Sequence, residues 1–177
     1  MALTAERLRT VLDYDPVTGA FTWRDRPRSD FKRSQGYGAW KQRCLGKEAG
    51  CPTGHGYTRI SIDCEAYLAH RLAWLYVHGE WPSLHIDHIN GNGCDNAIAN
   101  LRDVSNTDNH RNMRRHKTNR SGVTGVRLTR YGTWGAAIWD KHKIIRLGSF
   151  QTMEEAVSAR KQAEQELGYH PNHGRAA

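Results

Sequence analysis

Apolar residues recur at two spacings along the chain, and each spacing predicts short elements. Thr4 is a candidate N-cap for an opening helix. The apolar positions of this helix are Leu8, Val11 and Leu12. The turn sequence DPVTG (15–19) follows, and then Phe21 and Trp23 alternate with polar residues. The chain is therefore expected to open with a helix and a strand.

The middle of the chain combines strand and helix patterns. The segment GYTRISIDCEAYLAHRL predicts two strands around an acidic turn at 63–65, followed by a helix that ends at Gly79. HIDHI (85–89) predicts a short strand, and LRDV (101–104) predicts its partner beyond a loop rich in Gly and Asn. SNTD then has the spacing of a capping box, so a helix is expected over 106–115.

The C-terminal part predicts three strands and one helix. The strand patterns cover 123–130, 133–140 and 143–150. Thr152 and Glu155 form a second capping box, and the helix that they begin ends at Gly168. Residues 24–50 are basic, Gly-rich and weakly periodic, so an irregular segment that could face DNA is expected there. The predicted fold class is α+β.

Charge narrows the choice of partner. The chain has 26 Lys and Arg against 18 Asp and Glu, a net charge of +8, which predicts a polyanionic partner. Eight basic and two acidic residues fall between positions 102 and 130, so most of the excess lies in one segment. No stretch approaches the roughly 18 apolar residues of a membrane span, and the N-terminus lacks an apolar signal core. We therefore expect a cytoplasmic protein without a membrane partner.

The cysteines do not form a familiar metal motif. Their positions are Cys44, Cys51, Cys64 and Cys94, with gaps that match neither a CxxC pair nor a usual zinc spacing. Reduced thiols are the expectation, with a disulfide or an irregular metal site as the alternatives.

The stretch HIDHINGN (85–92) offers the groups that phosphodiester hydrolysis needs. Asp87 supplies a hard oxygen ligand for a divalent cation, and His88 supplies an imidazole that can activate water. Because strand neighbours point to opposite faces, the strand must twist or end here. Asn109, near the start of the next helix, could add an amide oxygen as a second ligand.

Three motifs in this order resemble the HNH nucleases, which have a ββα-metal fold. They are H-I-D-H-I-N-G at 85–91, D-N-x-x-x-N-L-R at 95–102, and Asn109 nine residues past Asn100. The resemblance covers about residues 68–115. The preceding HRLAWLYVHGEWP segment (70–82) is similar to phage and intron-associated HNH proteins.

The resemblance implies a role for each motif residue. His88 would be the general base, Asp87 a metal ligand, and Asn100 the asparagine that ties the loop and orients the base. Asn109 stands where many members have histidine, which implies the H-N-N variant with one Mg²⁺ or Mn²⁺ ion per site.

Three nearby residues complete the expectations for this region. Met113 occupies the position at which some members carry a further zinc-binding histidine, and this disfavours zinc. His85 shares a strand face with Asp87 and is a candidate for a supporting role, as is His110.

Residues 121–168 resemble the AP2 DNA-binding domain, which places a three-stranded sheet in the major groove. The shared elements are the G-V and G-x-W pairs, the L-G-S-F strand and the T-x-E-E-A helix. Ala137 and Trp139 stand where plant members often carry charged contact residues, so no target sequence is implied. Arg127 matches a DNA-contacting arginine of the family, and Trp134 is expected in the core.

DNA contacts are predicted in two places. Arg127 and Arg146 would act from the C-terminal sheet. A basic run would follow the phosphates from between the two modules, and its members are Arg111, Arg114, Arg115, Lys117 and Arg120.

These observations predict a metal-dependent, site-selective DNA endonuclease that nicks or cuts both strands and leaves 5′-phosphate and 3′-hydroxyl ends. A homing-like enzyme of a phage or mobile element, acting in the bacterial cytoplasm on double-stranded DNA as a monomer or homodimer, is expected. Two alternatives stay open: a non-catalytic AP2-type regulator, and a structural zinc module. The expected regions are an N-terminal segment (1–67) that could contact DNA, a nuclease core (68–117), an AP2-like domain (118–170) and a tail (171–177).

Overall fold

A computed structural model of the chain describes residues 3–141 and 143–175. Over these residues the fold is α+β, as predicted, with five α-helices and four small sheets of two or three strands. The chain divides into two compact units, and the boundary in the sequence lies between Asp103 and Val104. This division falls inside the segment 68–117.

The first unit begins with the predicted helix and strand. Helix α1 (Ala5–Val11) is capped by the Thr4 hydroxyl, which accepts a hydrogen bond from the main-chain nitrogen of Arg7 at 3.1 Å. Strands β1 (Leu12–Tyr14) and β2 (Phe21–Trp23) then pair antiparallel around the 15–19 turn. Both sequence predictions are confirmed.

Residues 24–50 are more regular than predicted. They include a short 3-10 turn (Arg28–Asp30) and helix α2 (Ser34–Cys44). The helix lacks an aliphatic stripe, and its buried Trp40 instead packs edge-on against Trp23, with 6.0 Å between ring centroids. The prediction of an irregular segment was wrong because a few aromatic contacts replace the periodic pattern that marks most amphipathic helices.

The predicted hairpin and helix of the middle region are confirmed. A three-stranded antiparallel sheet has β4 at its centre and consists of β3 (Cys51–Pro52), β4 (Thr58–Ile62) and β5 (Glu65–Leu68). Helix α3 (Ala69–His78) follows and stops at Gly79, whose φ of +81° is left-handed. All four cysteines are free thiols, as expected.

One hydrophobic core joins the N-terminal segment to the region predicted as the nuclease. Its fully buried side chains come from α1, the two hairpins and α3, and Leu101 adds a residue from the far side of the HIDHINGN loop. The largest are Leu8, Leu12, Phe21, Ile60, Ile62, Leu72 and Leu75. Residues before position 67 therefore stabilise the fold around positions 85–101.

A strand, a second strand and a helix follow in the predicted order. Strand β6 (His85–His88) pairs with β7 (Leu101–Val104), and helix α4 (Asn106–His110) begins the second unit after its N-cap Ser105. The helix is five residues shorter than the predicted 106–115. Its expected continuation instead exchanges main-chain hydrogen bonds with the C-terminal segment, including Arg115 N to Arg175 O at 2.9 Å.

The rest of the second unit is a three-stranded sheet with one helix. Strands β8 (Val126–Leu128), β9 (Trp134–Asp140) and β10 (Lys143–Phe150) pair antiparallel with β9 in the middle. Helix α5 (Met153–Glu166) covers one face, and the core between them contains Val126, Ala136 and Ala156, with Trp134 packed against it. These elements and the placement of Trp134 match the sequence prediction. Among the described residues, no helix is long and apolar enough to cross a membrane.

Helix α5 depends on its N-terminal capping box. The Thr152 hydroxyl accepts from the main-chain nitrogen of Glu155, and the Glu155 carboxylate accepts from that of Thr152. We predict that Thr152→Ala lowers the free energy of unfolding by about 1 kcal/mol, because it leaves a helix donor unpaired. Thr152→Ser keeps the oxygen and should stay close to wild type. Urea unfolding of both variants tests this, and equal losses would contradict the capping role.

His70 gives the first unit a sensitivity to acid. It lies on the buried side of α3 with 6% of its surface exposed, and its ring packs against Tyr57 at 5.4 Å between centroids. Burial lowers the pKa of His70 to about 3. The folded chain therefore keeps this imidazole neutral at pH values where the unfolded chain protonates it.

Stability should consequently be highest above the ordinary histidine pKa of about 6.5 and should fall as the pH drops toward the folded-state value. At about pH 5 the loss due to His70 is on the order of 2 kcal/mol. We predict that His70→Phe, which keeps an aromatic ring but cannot titrate, loses less stability than wild type between about pH 7 and pH 5. Urea unfolding at the two pH values measures the difference, and parallel losses would show that His70 is not responsible.

Candidate active site

Asp87 and His88 are both buried where strand β6 ends. Their exposed fractions are 8% and 4%. The main-chain oxygen of His88 accepts a hydrogen bond from Gly91 N at 2.7 Å, so the chain turns immediately after His88. Because the strand ends here, its side chains no longer have to alternate between two faces, and both Asp87 and His88 can be buried.

Asn100 closes the loop that connects β6 to β7. Its amide nitrogen donates to Asn90 Oδ1 at 3.1 Å and to the main-chain oxygen of Asp95 at 2.8 Å, while its Oδ1 accepts from Asn90 N at 3.0 Å. Asn90 Nδ2 also donates to the Asp95 carboxylate at 2.6 Å. The side chain of Asn100 thus bonds to two loop positions, and its main-chain oxygen accepts from Ile89 N at 2.9 Å.

The imidazole of His88 is surrounded by aromatic and amide groups. Its Nε2 lies 3.3 Å from the side-chain oxygen of Asn96. The ring of His70 packs edge-to-face against it at 5.0 Å between centroids, and Tyr57 lies at 6.0 Å. Burial lowers the pKa of His88 below its ordinary value, which favours the neutral imidazole that a general base requires.

The carboxylate of Asp87 is paired with an arginine. Arg102 on strand β7 donates from Nε and Nη2 to the same oxygen, Asp87 Oδ2, at 2.9 and 2.6 Å. The guanidinium compensates the charge of a carboxylate that is almost fully buried. In the sequence, Arg102 belongs to the basic segment and ends the D-N-x-x-x-N-L-R motif, and neither feature predicts its pairing with Asp87.

Asn109, the second expected metal ligand, is in helix α4 of the second unit. Ser105 caps this helix by accepting from Asp108 N at 3.2 Å, and Asn109 N donates to the main-chain oxygen of Ser105 at 3.0 Å. Within residues 3–141 and 143–175, no group of three or more His, Cys, Asp or Glu side chains is arranged to hold a metal ion. The Asp87 carboxylate and the Asn109 amide each carry an oxygen of the hard type that Mg²⁺ or Mn²⁺ prefers.

The two candidate supporting histidines lie at the ends of their elements. His85 is exposed at the start of β6. His110 is exposed at the end of α4, where its Nδ1 lies 2.9 Å from the sulfur of Met113.

The basic run of residues 111–120 lies in the second unit, and two of its arginines make structural contacts there. Arg111 pairs with Asp140 at 3.1 Å and lies over the ring of Tyr169, and Arg115 donates to the main-chain oxygen of Gly122. These two arginines help to hold the second unit together. Three further members are exposed: Arg114, Lys117 and Arg120.

Arg127 and Arg146 occupy the sheet face of the second unit that α5 does not cover. Cross-strand partners share a face, and Arg127 is opposite Gly135 while Arg146 is opposite Ala137. We name this surface the outer face. Its members are Arg127, Gly135, Ala137, Trp139, Ile144, Arg146 and Ser149. Trp139 and Ile144, directly opposite each other, are 58% and 56% exposed.

Sequence reasoning gave no role to three residues around Asp87 and His88, and it treated His70 only as a weak candidate for direct involvement. Asn96 stands in the quoted D-N-x-x-x-N-L-R motif, and His70 begins the HRLAWLYVHGEWP segment. Arg102 ends the same motif as Asn96. Tyr57 is about thirty positions before His88 and carries no local pattern that could have identified it.

Comparison with known families agrees with the motif that these residues form. Residues 67–111 match the sequence model of a family described as HNH endonuclease. The matched segment is a quarter of the chain and contains Asp87, His88, Asn100 and Asn109. No curated protein and no solved structure gave a significant match. The matched segment supports nuclease activity of the HNH type and a nucleic acid substrate.

Proposed function

We propose that the chain is a metal-dependent DNA endonuclease that hydrolyses a phosphodiester bond to 5′-phosphate and 3′-hydroxyl ends. The observation that carries the proposal is the buried His88 imidazole beside the Asp87 carboxylate, inside the segment that matches HNH endonucleases. A buried histidine with a lowered pKa stays neutral near physiological pH. It can then take a proton from water at the start of the reaction.

Residues of the first unit have separate roles in the proposed hydrolysis. His88 removes a proton from the attacking water in line with the scissile phosphate. Asn100 keeps the loop after β6 closed, so that the imidazole is held in one place. Arg102 holds the Asp87 carboxylate by two hydrogen bonds to one oxygen. His85, exposed at the start of the same strand, is available to the phosphate or leaving group.

The residues that would hold the metal are Asp87 and Asn109. A carboxylate and an amide oxygen suit Mg²⁺ or Mn²⁺, and Met113 does not extend the set toward a zinc site. The bound cation would neutralise charge on the phosphate and stabilise the leaving 3′ oxygen.

Two surfaces are available to extended double-stranded DNA. The outer face presents Arg127 and Arg146 from an AP2-like arrangement of three strands and one helix. The exposed basic residues after α4 can neutralise phosphates. Together they support contact with DNA beyond the cleavage site, as a site-selective enzyme requires. We propose an enzyme of the homing type, from a phage or mobile element, that works in the bacterial cytoplasm as a monomer or homodimer.

Removal of the base should abolish most of the activity. We predict that His88→Ala lowers the rate of supercoiled plasmid nicking in Mg²⁺ or Mn²⁺ by about 10²- to 10⁴-fold, which is the usual contribution of a general base. His78→Ala, which changes an exposed histidine at the end of α3, serves as the matched control and should nick like wild type.

Asp87→Asn and Asn109→Ala separate metal binding from base catalysis. Both should raise the cation concentration needed for half-maximal nicking, because each removes or weakens an oxygen ligand. Nicking by His88→Ala at the wild-type rate, or an unchanged cation requirement in both ligand variants, would refute the proposed roles.

The outer face should contribute to DNA affinity through charge. We predict that Arg127→Ala combined with Arg146→Ala weakens binding to a duplex of about 30 base pairs and reduces the salt dependence by about one to two counterions. Fluorescence anisotropy in EDTA measures both quantities without cleavage. Lys161→Ala on helix α5 removes one charge from the opposite side of the sheet and should leave both nearly unchanged. An identical salt slope in the double variant and in wild type would exclude the outer face.

A further inference from the structure

We infer that Asn96 is a positioning residue that keeps the proton of neutral His88 on Nε2 and leaves Nδ1 as the atom that accepts a proton from water. The catalytic consequence rests on the nuclease function proposed above. The position of the proton on the His88 ring does not depend on that function, and it can be measured without any DNA cleavage.

The two side chains are within hydrogen-bond distance of each other and are buried. Asn96 Oδ1 lies 3.3 Å from His88 Nε2, and the two residues are 3% and 4% exposed. Water is therefore largely excluded from this pair. A buried polar pair of this kind is stable only if one atom donates and the other accepts.

A second hydrogen bond fixes which end of the Asn96 amide faces the histidine. Asn96 Nδ2 donates to the main-chain oxygen of Cys94 at 3.2 Å. Because a carbonyl oxygen can only accept, the nitrogen must be at that end, and the amide oxygen faces His88. The amide oxygen is also only an acceptor, so His88 Nε2 must carry the proton.

The main chain of Asn96 is held by the hairpin near the N-terminus. The Tyr14 hydroxyl donates to the main-chain oxygen of Asn96 at 2.7 Å, and burial raises the pKa of Tyr14 to about 12, which keeps the donor protonated. Gly19 packs so closely that a Cβ there would lie 2.3 Å from the carbonyl carbon of Asn96. Ile98 N also donates to the main-chain oxygen of Pro16 at 3.1 Å.

These contacts fix both the main chain and the side-chain amide of Asn96. The β1–β2 turn holds the main chain, Cys94 holds the amide nitrogen, and the amide oxygen then holds His88. The edge-to-face contact with His70 also limits rotation of the imidazole ring. Asn100 and Asn96 therefore have different tasks, since Asn100 bonds the loop together and Asn96 bonds to the imidazole.

The tautomer can be read from the nitrogen chemical shifts of His88. Full-length chain with ¹⁵N-labelled histidine is compared as wild type, Asn96→Ala and Asn96→Asp, without metal and at neutral pH. The spectrum of His88→Gln assigns the signals by their loss. Wild type should show His88 protonated on Nε2, and Asn96→Asp should keep this pattern because a carboxylate oxygen still accepts.

Asn96→Ala removes the acceptor, so its His88 signals should move toward the averaged values of two exchanging tautomers. Asn92→Ala is the control, because it makes the same chemical change in the same loop at an exposed residue, where it removes a hydrogen bond to Cys94 N instead of one to the imidazole. Wild-type His88 protonated on Nδ1, or signals unchanged in Asn96→Ala, would overturn the inference.

Plasmid nicking then tests the consequence for catalysis. With circular dichroism confirming the fold, Asn96→Ala should lower kcat by about 10- to 100-fold, as loss of an orienting partner usually does, with little change in KM. Asn96→Asp should recover part of that loss. Equal kcat in wild type and Asn96→Ala would overturn the positioning role. An inactive wild type would refute the nuclease function, while the spectra would still decide where the proton lies.

Discussion

A histidine can act as a base only if its ring is neutral and held still, and this constraint explains the structure around His88. The imidazole is buried, which disfavours its charged form, and it is placed at the end of a strand so that the following loop can surround it. Asparagine side chains provide most of the polar contacts of that loop. They form hydrogen bonds in fixed directions without adding charge next to the base.

The N-terminal segment contributes to holding the loop around His88 in place. Tyr14 and Gly19 contact the main chain at Asn96, and the aliphatic core of α1 and α3 extends to Leu101 beyond the loop. A nuclease motif of about 45 residues buries too little surface to hold such a loop alone. The preceding helix and hairpins supply the missing core, so residues 67–103 of the matched segment are one part of a larger compact unit.

Local patterns predicted most elements, and long-range contacts account for the rest. Thr4, Thr152 and Gly79 mark helix ends through bonds within a few residues, which a sequence displays directly. Helix α2 was missed because its stability comes from Trp40 against Trp23, and α4 was predicted too long because residues 111–115 bond to the C-terminal segment. In the candidate site, Asp87 and His88 were proposed from their motif. Tyr57, Asn96 and the Arg102 pairing depend on tertiary folding, which no spacing shows.

The most direct measurement of the central claim is the chemistry of the DNA ends. Supercoiled plasmid would be incubated with the full-length chain and Mg²⁺ or Mn²⁺, purified, and then treated with DNA ligase. Metal-assisted attack by water predicts nicked circles that form only with the cation and that ligase reseals without prior treatment, because 5′-phosphate and 3′-hydroxyl ends are left. Cleavage that persists in EDTA, or nicks that ligase cannot seal, would contradict the account.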